Sequence, residues 1–358
     1  MNHNIRKDEK MKSKTIKLLA LTFVLAFSML AYGCGGSGSG DGSAAGSSAG
    51  SSAAGGDAKE ITFCLDWTPN TNHTGLYVAL DKGYFQEAGL NVKVVQPPED
   101  GCASLVGSGK AQFGVEFQDT TAPALIGDAK LPITTVAAVL QHNTSGIISL
   151  KEKGIDSPKK MEGHTYATWD SPVEQATLKQ VVENDGGDFS KVKMVPSTVT
   201  DEVSAFKKDQ VDSIWIFYGW AGIACKQAGL DTNYWNFRDI DKVFDYYTPT
   251  IIANNDFLKD DPDTAKAFLA ALSKGYTFAA ENPEESAEIL IAANEELKDS
   301  KDLVVESQKY LSKYYIDDAE KWGVIDPERW NAFYKWLNDN KLVEEELPEN
   351  AGLSTEFI

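Results

Sequence analysis

Residues 65–79 read LDWTPNTNHTGLYVA and bring together a carboxylate (Asp66), an indole (Trp67), two asparagines (Asn70 and Asn72) and an imidazole (His73). That set can grip a small polar ring: the indole gives a stacking face, and the carboxylate, amides and imidazole read its edge. The same residues also suit an Asx/Pro turn, with Asn70 and Asn72 satisfying their own backbone and Trp67 filling the core.

Three more clusters have comparable chemistry. In Gly114-Val-Glu-Phe-Gln-Asp119, Glu116, Gln118 and Asp119 could accept bonds from a ring's exocyclic amine while Phe117 packs beneath it; equally, Asp119 could cap the helix that follows. In Trp169-Asp-Ser-Pro-Val-Glu174, Trp169 offers a second stacking face. Ser171, Pro172 and Glu174 match a capping box, a structural role for Glu174 that can coexist with its candidacy for the site. In Ile214-Trp-Ile-Phe-Tyr-Gly-Trp220, alternation predicts Trp215 and Phe217 buried on one face, and releases Tyr218 and Trp220 as a platform; Tyr246 and Tyr247 are weaker candidates of the same kind.

Each cluster follows a short apolar run and precedes a helical period. Runs at 61–65, 92–95, 113–117 and 133–139 predict strands, with helices around 75–82, 103–108 and 121–126. A second set has strands at 147–150, 166–168, 192–195 and 214–217, with helices over 172–184 and 202–208; from Asp263 onward the chain reads as mostly helical. Alternating strands and helices imply α/β architecture, in which ligands sit beyond the carboxyl ends of the strands. No internal repeat is legible.

The string DWTPNTNHTGLYVA, followed by Asp81-Lys-Gly-Tyr-Phe85, Gly107-Ser-Gly-Lys110, Gln141-His-Asn-Thr-Ser-Gly146 and Asp170-Ser-Pro172, resembles the solute-binding lipoproteins of ABC importers for thiamine-pyrimidine precursors such as formylaminopyrimidine. The same superfamily includes the yeast-type pyrimidine synthase of thiamine biosynthesis. The likeness covers about 61–256 and implies a two-lobed periplasmic-binding-protein fold of the second type, with parallel or mixed sheets flanked by helices and a helical C-terminal tail. It places lobe 1 at 58–142 and 248–358 and lobe 2 at 143–247. Aligned on Gly107–Lys110, the resemblance puts Glu116 where the synthase has its pyridoxal-binding lysine and Thr120 where it has its reactive histidine. A carboxylate forms no Schiff base, so a binder rather than an enzyme is expected, without cofactor.

Residues 1–33 carry Arg6, Lys7, Lys10, Lys12, Lys14 and Lys17 before an apolar run at 18–31, as a secretory signal does. Cys34 resembles a lipobox cysteine, although Ala31 and Tyr32 depart from the commonest pattern. Residues 34–57, almost all Gly, Ser and Ala, read as a flexible tether that would hold the protein on the extracytoplasmic face of the membrane by its lipid alone. The whole chain has 34 Lys/Arg and 53 Asp/Glu in 358 residues, a net charge of −19. Without residues 1–33 the balance is 28 against 51, or −23, which argues against nucleic acid as a partner. After Cys34 there remain Cys64, Cys102 and Cys225, with no CxxC and no zinc spacing, so neither a disulfide framework nor a metal site is expected.

The expected function is capture of a small heteroaromatic ligand by a monomer that delivers it to ABC permease subunits. Ligand contacts are expected at Asp66, Trp67, Asn72, His73, Glu116, Gln118, Asp119, Trp169, Glu174, Tyr218 and Trp220. Riboflavin, a sulfonate or nitrate are alternative solutes, and a synthase-like enzyme is a third reading. The candidate loops hold no arginine, which favours an aromatic neutral or cationic ligand over an anion.

Overall fold

The computed structural model describes residues 58–358 apart from Thr198. The signal, the tether and lipidation at Cys34 fall outside the described residues. Among the described residues no helix is long and apolar enough to cross a membrane.

The chain begins with β1 (Lys59–Cys64), α1 (Thr74–Asp81), α2 (Tyr84–Glu87), β2 (Leu90–Val95), α3 (Gly101–Gly107), β3 (Phe113–Glu116), α4 (Gln118–Ala124) and β4 (Ile133–Ala138). It then crosses to β5 (Ser145–Leu150), β6 (Thr165–Thr168), α5 (Pro172–Asn184), β7 (Lys193–Pro196), α6 (Glu202–Lys207) and β8 (Ser213–Phe217). A π-helical turn (Tyr218–Gly222), α7 (Ile223–Gln227), β9 (Thr232–Asn236) and α8 (Phe237–Ile240) complete this half. The return brings β10 (Thr250–Asn254), α9 (Asn255–Asp260), α10 (Pro262–Glu281), α11 (Pro283–Ala293), α12 (Lys301–Leu311) and α13 (Pro327–Asp339).

Two five-stranded sheets result, ordered β2-β1-β3-β10-β4 and β7-β6-β8-β5-β9. In the first, β1 runs parallel to β2 and β3, and β10 is antiparallel to β3 and β4. In the second, β6 runs parallel to β7 and β8, and β5 is antiparallel to β8 and β9. The two sheets therefore share one topology: in each, the strand that enters from the other half is inserted antiparallel beside the edge strand. This is a two-lobed α/β fold with mixed sheets. Strands β9 and β10 have no counterpart in the sequence-based expectation.

Alternation along β1 explains how the first sheet is covered. Ile61 and Phe63 face the main core, where Phe268 of α10 stacks on Phe85 at 5.1 Å and on Phe113 at 4.2 Å. Cys64 faces the opposite layer, against α3. Helix α5 starts where the sequence predicts, with Pro172 in its first turn and the Ser171–Glu174 capping box formed.

The lobes touch beside the crossovers as well. Trp220 of the π-helical turn packs on the cluster of Tyr77, Leu290, Ile291 and Val304. Gly219 lies so close to the Leu311 side chain that a Cβ at this position would clash. From α13, Trp336 Nε1 donates to Gln180 Oε1 of α5 at 2.6 Å.

Candidate ligand-binding cleft

Four strands, β1 and β3 in one sheet and β6 and β8 in the other, carry an aromatic residue at or just beyond their carboxyl ends. Trp67 follows β1 and is 65% exposed, Trp169 follows β6 and is 51% exposed, and Phe217 closes β8 at 39%. Phe117, just after β3, stacks on Phe217 with ring centroids 6.2 Å apart and planes 20° apart, a contact across the two lobes. Trp169 also meets Trp215 edge-on at 5.3 Å. Large apolar side chains left this exposed at strand exits make this face the candidate binding surface.

Carboxylates stand beside the rings on the first lobe. His73 is fully buried, and its Nδ1 accepts from the Asn70 backbone N–H at 3.2 Å. Nε2 is therefore the protonated nitrogen and donates to Asp66 Oδ1 at 2.6 Å, which fixes that carboxylate in place. Glu116 accepts from the backbone N–H of Ala103 and Phe117, each at 3.3 Å, and from the Thr120 hydroxyl at 2.7 Å. Burial pushes its carboxyl up, the three donors oppose that, and neighbouring Asp66 adds to it. Asp119, half-buried in the first turn of α4, has its carboxyl pushed up to about 6 by burial; its own and Thr120's backbone N–H groups pull it down, and Glu116 raises it further.

Several sequence-nominated residues have structural work instead. Gln118 is fully buried: Nε2 donates to the Trp330 carbonyl at 2.9 Å and Oε1 accepts from the Tyr247 N–H at 2.9 Å, tying the start of α4 to α13 and the return crossover. Glu174 is buried and accepts from the Tyr166 and Thr168 hydroxyls and from the backbone N–H of Trp169 and Ser171. His73 positions Asp66 and has no face open to a ligand. Tyr218 is wedged at a tilt between Tyr234 at 4.7 Å and Tyr310 at 5.1 Å, and Trp220 is docked on the other lobe, so neither forms the expected free platform. Tyr246 is buried against Phe333 at 4.1 Å, and Tyr247 lies under the Arg329 guanidinium. Asn72 is half-buried, and among the described residues its side-chain amide makes no hydrogen bond.

Phe217 and Trp215 correct the reading of β8. Ile214 and Ile216 fill the core with α6 and α7; on the other face Trp215 is half-buried against Phe237 at 4.1 Å, and Phe217 at the strand end is exposed. Both faces of IWIF are apolar and each meets a core layer, so alternation separates two sets of residues without saying which is the more deeply buried.

Residues 70–286 match the family model described as NMT1/THI5 like. Over 287 residues the chain is 30% identical to the formylaminopyrimidine-binding protein of Halalkalibacterium halodurans, covering 78% of this chain and 85% of that protein. The chain belongs to the NMT1/THI5-like family. At 26% identity over 246 residues, 63% of this chain and 68% of the relative, it also matches the 4-amino-5-hydroxymethyl-2-methylpyrimidine phosphate synthase THI11 of Saccharomyces cerevisiae. Among solved structures, the alkanesulfonate-binding protein SsuA of Xanthomonas axonopodis pv. citri aligns with a TM-score of 0.63 at 10% identity, covering 84% of this chain and 99% of that one. The periplasmic aliphatic sulphonate-binding protein SsuA of Escherichia coli gives 0.64 at 13% identity over 80% and 94% of the two chains. At such identities these likenesses establish the periplasmic-binding-protein fold.

Proposed function

We propose that this member of the NMT1/THI5-like family is a solute-binding protein, not an enzyme. It closes its lobes over a flat, amine-bearing heteroaromatic, of which formylaminopyrimidine is the first candidate. The observation that carries this reading is the set of strand-exit rings, Trp67 and Phe117 from one lobe and Trp169 and Phe217 from the other, next to Asp66, Glu116 and Asp119. Aromatic faces sandwich a ring, carboxylates accept from its amine, and the loops at 65–74, 117–120, 169–172 and 217–220 hold no Lys or Arg to favour an anion. The 30% identical relative named for formylaminopyrimidine binding supports the same solute class.

Against synthase chemistry stands the pair at the positions that the family resemblance gives to that enzyme's lysine and histidine: Glu116 and Thr120 are hydrogen-bonded to one another. In this reading Cys34 carries a lipid, residues 35–57 are the tether, and the two lobes deliver the solute as a monomer to ABC permease subunits at the extracytoplasmic face. Isothermal titration with formylaminopyrimidine and its deformylated amine tests the assignment. Saturable heat with either supports it, and no heat at millimolar concentration with both overturns it.

Asp119 gives the cleft a pH signature. A carboxyl held above its ordinary 3.8 binds its proton more tightly in the folded chain than in the unfolded one. Its effect on apo stability is therefore most favourable below about pH 4 and is lost as pH rises to about 6, a fall on the order of 2–3 kcal/mol. Capture of an amine donor should change in the opposite sense, strengthening as Asp119 ionises through about pH 6. Asp119→Asn should flatten both profiles. Melting curves from pH 4 to 7 and titrations at pH 5 and 7.5 read the two trends, and parallel profiles for the Asp119→Asn variant and its parent would remove Asp119 from both roles.

A further inference from the structure

Beneath the first-lobe half of the cleft lie two buried thiols that ligand capture does not use. Cys64 is the last residue of β1, and alternation turns it away from Ile61 and Phe63 toward the layer beneath α3. Cys102 is the second residue of α3, and it shares the sheet-facing side of that helix with Val106, four positions on. Both belong to one apolar cluster with Ala111, Ile133 and Ile252, and the Cys102 Sγ lies 3.5 Å from the Cys64 carbonyl oxygen.

Gly114 makes this approach possible. It pairs with Cys64 in the β1–β3 register, and a Cβ on it would run into Cys102 Sγ and crowd the Cys64 carbonyl at 3.1 Å. The missing side chain is the space that the Cys102 sulfur occupies at the end of β1.

We propose that Cys64 and Cys102 are a disulfide-forming pair, a covalent modification site that joins β1 to the first turn of α3 beneath the cleft. The interaction between the two side chains is the largest influence on both acidities: it lowers Cys64 and raises Cys102. The exchange takes place while the chain folds, before α3 covers the pair, with Cys64 as the attacking thiolate and Cys102 as the resolving thiol. With a small-molecule disulfide such as oxidised glutathione as oxidant, the Cys64 thiolate breaks the glutathione S–S bond and forms a mixed disulfide, releasing one glutathione. Cys102 then displaces the second glutathione, which takes up its proton; two protein thiols are oxidised and one glutathione disulfide is reduced to two thiols.

The cross-link joins residues 38 positions apart and acts on the site above it. Asp66 and Trp67 leave β1 directly after Cys64, and the residue after Cys102, Ala103, gives its N–H to Glu116. Oxidation fixes the two anchors of the first-lobe carboxylates to each other. It also removes two ionisable thiols from beneath Glu116 and Asp66, whose charges oppose thiolate formation there.

The chemistry does not depend on the identity of the solute. The purified full-length chain is reduced, unfolded, refolded with reduced and oxidised glutathione, quenched with acid, blocked with N-ethylmaleimide in denaturant so that every free thiol is reached, and peptide-mapped without reductant. The same mapping is applied to protein isolated from the outer face of the cell. The expected result in either sample is a linked Cys64–Cys102 peptide pair, two hydrogens lighter than the sum of the free peptides, with maleimide on Cys225. The oxidised form should melt roughly 5 °C above the reduced one. That difference should be absent from Cys64→Ser/Cys102→Ser and retained in Cys225→Ser. Maleimide on both Cys64 and Cys102 in the two samples, or pairing of either with Cys225, overturns the proposal.

Discussion

Trp67→Ala/Trp169→Ala is expected to bind formylaminopyrimidine about 30- to 25,000-fold more weakly than the parent while melting within about a degree of it. Each indole contributes about 1–3 kcal/mol of stacking and burial when it covers a flat ring, and the two sit on different lobes, where single effects add. Stability should be nearly untouched because 65% of Trp67 and 51% of Trp169 is already in water before any solute arrives. Trp220→Ala is the contrast: its ring is spent on Tyr77 and Leu290 of the other lobe, so its loss should lower the melting temperature. Titration calorimetry beside differential scanning calorimetry separates these outcomes. A double variant that melts several degrees low and keeps its affinity would mean that the exposed indoles support the loops and not the ligand.

The sequence discloses the four strand exits more faithfully than the roles of their residues. The 172–184 helix is legible to the residue because Ser171, Pro172 and Glu174 each satisfy a helix-start requirement that needs only local chain. Strands β9 and β10 escape because TNYWN puts polar and aromatic residues on both faces and so shows no alternation, and TIIAN is an apolar run too short to separate from a helix start. Their places beside β5 and between β3 and β4 are set by pairing with distant strands, which periodicity does not carry. The shared topology of the two sheets is invisible for a similar reason: it resides in strand order and direction, not in repeated residues.

At the site, the misreadings have one physical origin. A strand exit that turns into a helix leaves backbone N–H groups unpaired, and the polar side chains that satisfy them are of the same types that would read a ligand. Gln118, His73 and Glu174 went to the backbone and to neighbouring side chains; Glu116 is partly committed, with three donors already on it. The aromatic residues divide by position along the chain: Trp215, inside β8, packs on Phe237, Phe217 at the strand end is exposed, and Trp220 in the π-helical turn reaches the opposite lobe, contacts that periodicity does not carry.

Glu174→Ala is expected to be among the most damaging single changes, at about 3–5 kcal/mol. The carboxylate is 1% exposed and is the acceptor for four donors: the Tyr166 hydroxyl at 2.6 Å, the Thr168 hydroxyl at 2.8 Å, and the Trp169 and Ser171 backbone N–H groups at 3.3 Å each. Alanine leaves those donors without an acceptor in a space too closed for easy hydration, and Tyr166 among them is fully buried. Glu174→Gln keeps the shape and one acceptor oxygen but turns an NH2 toward the remaining donors, so about half of that loss is expected. Tyr166→Phe should recover part of the alanine variant's loss by removing one orphaned donor, and a double-mutant cycle of the two measures their coupling. Below its melting temperature the glutamine variant should still bind solute within a few-fold of the parent, since the Trp169 ring remains in place and no Glu174 oxygen faces the cleft. A glutamine variant that melts normally and binds at least a hundredfold more weakly would instead make Glu174 a ligand contact, with the capping box a secondary use of the same carboxylate.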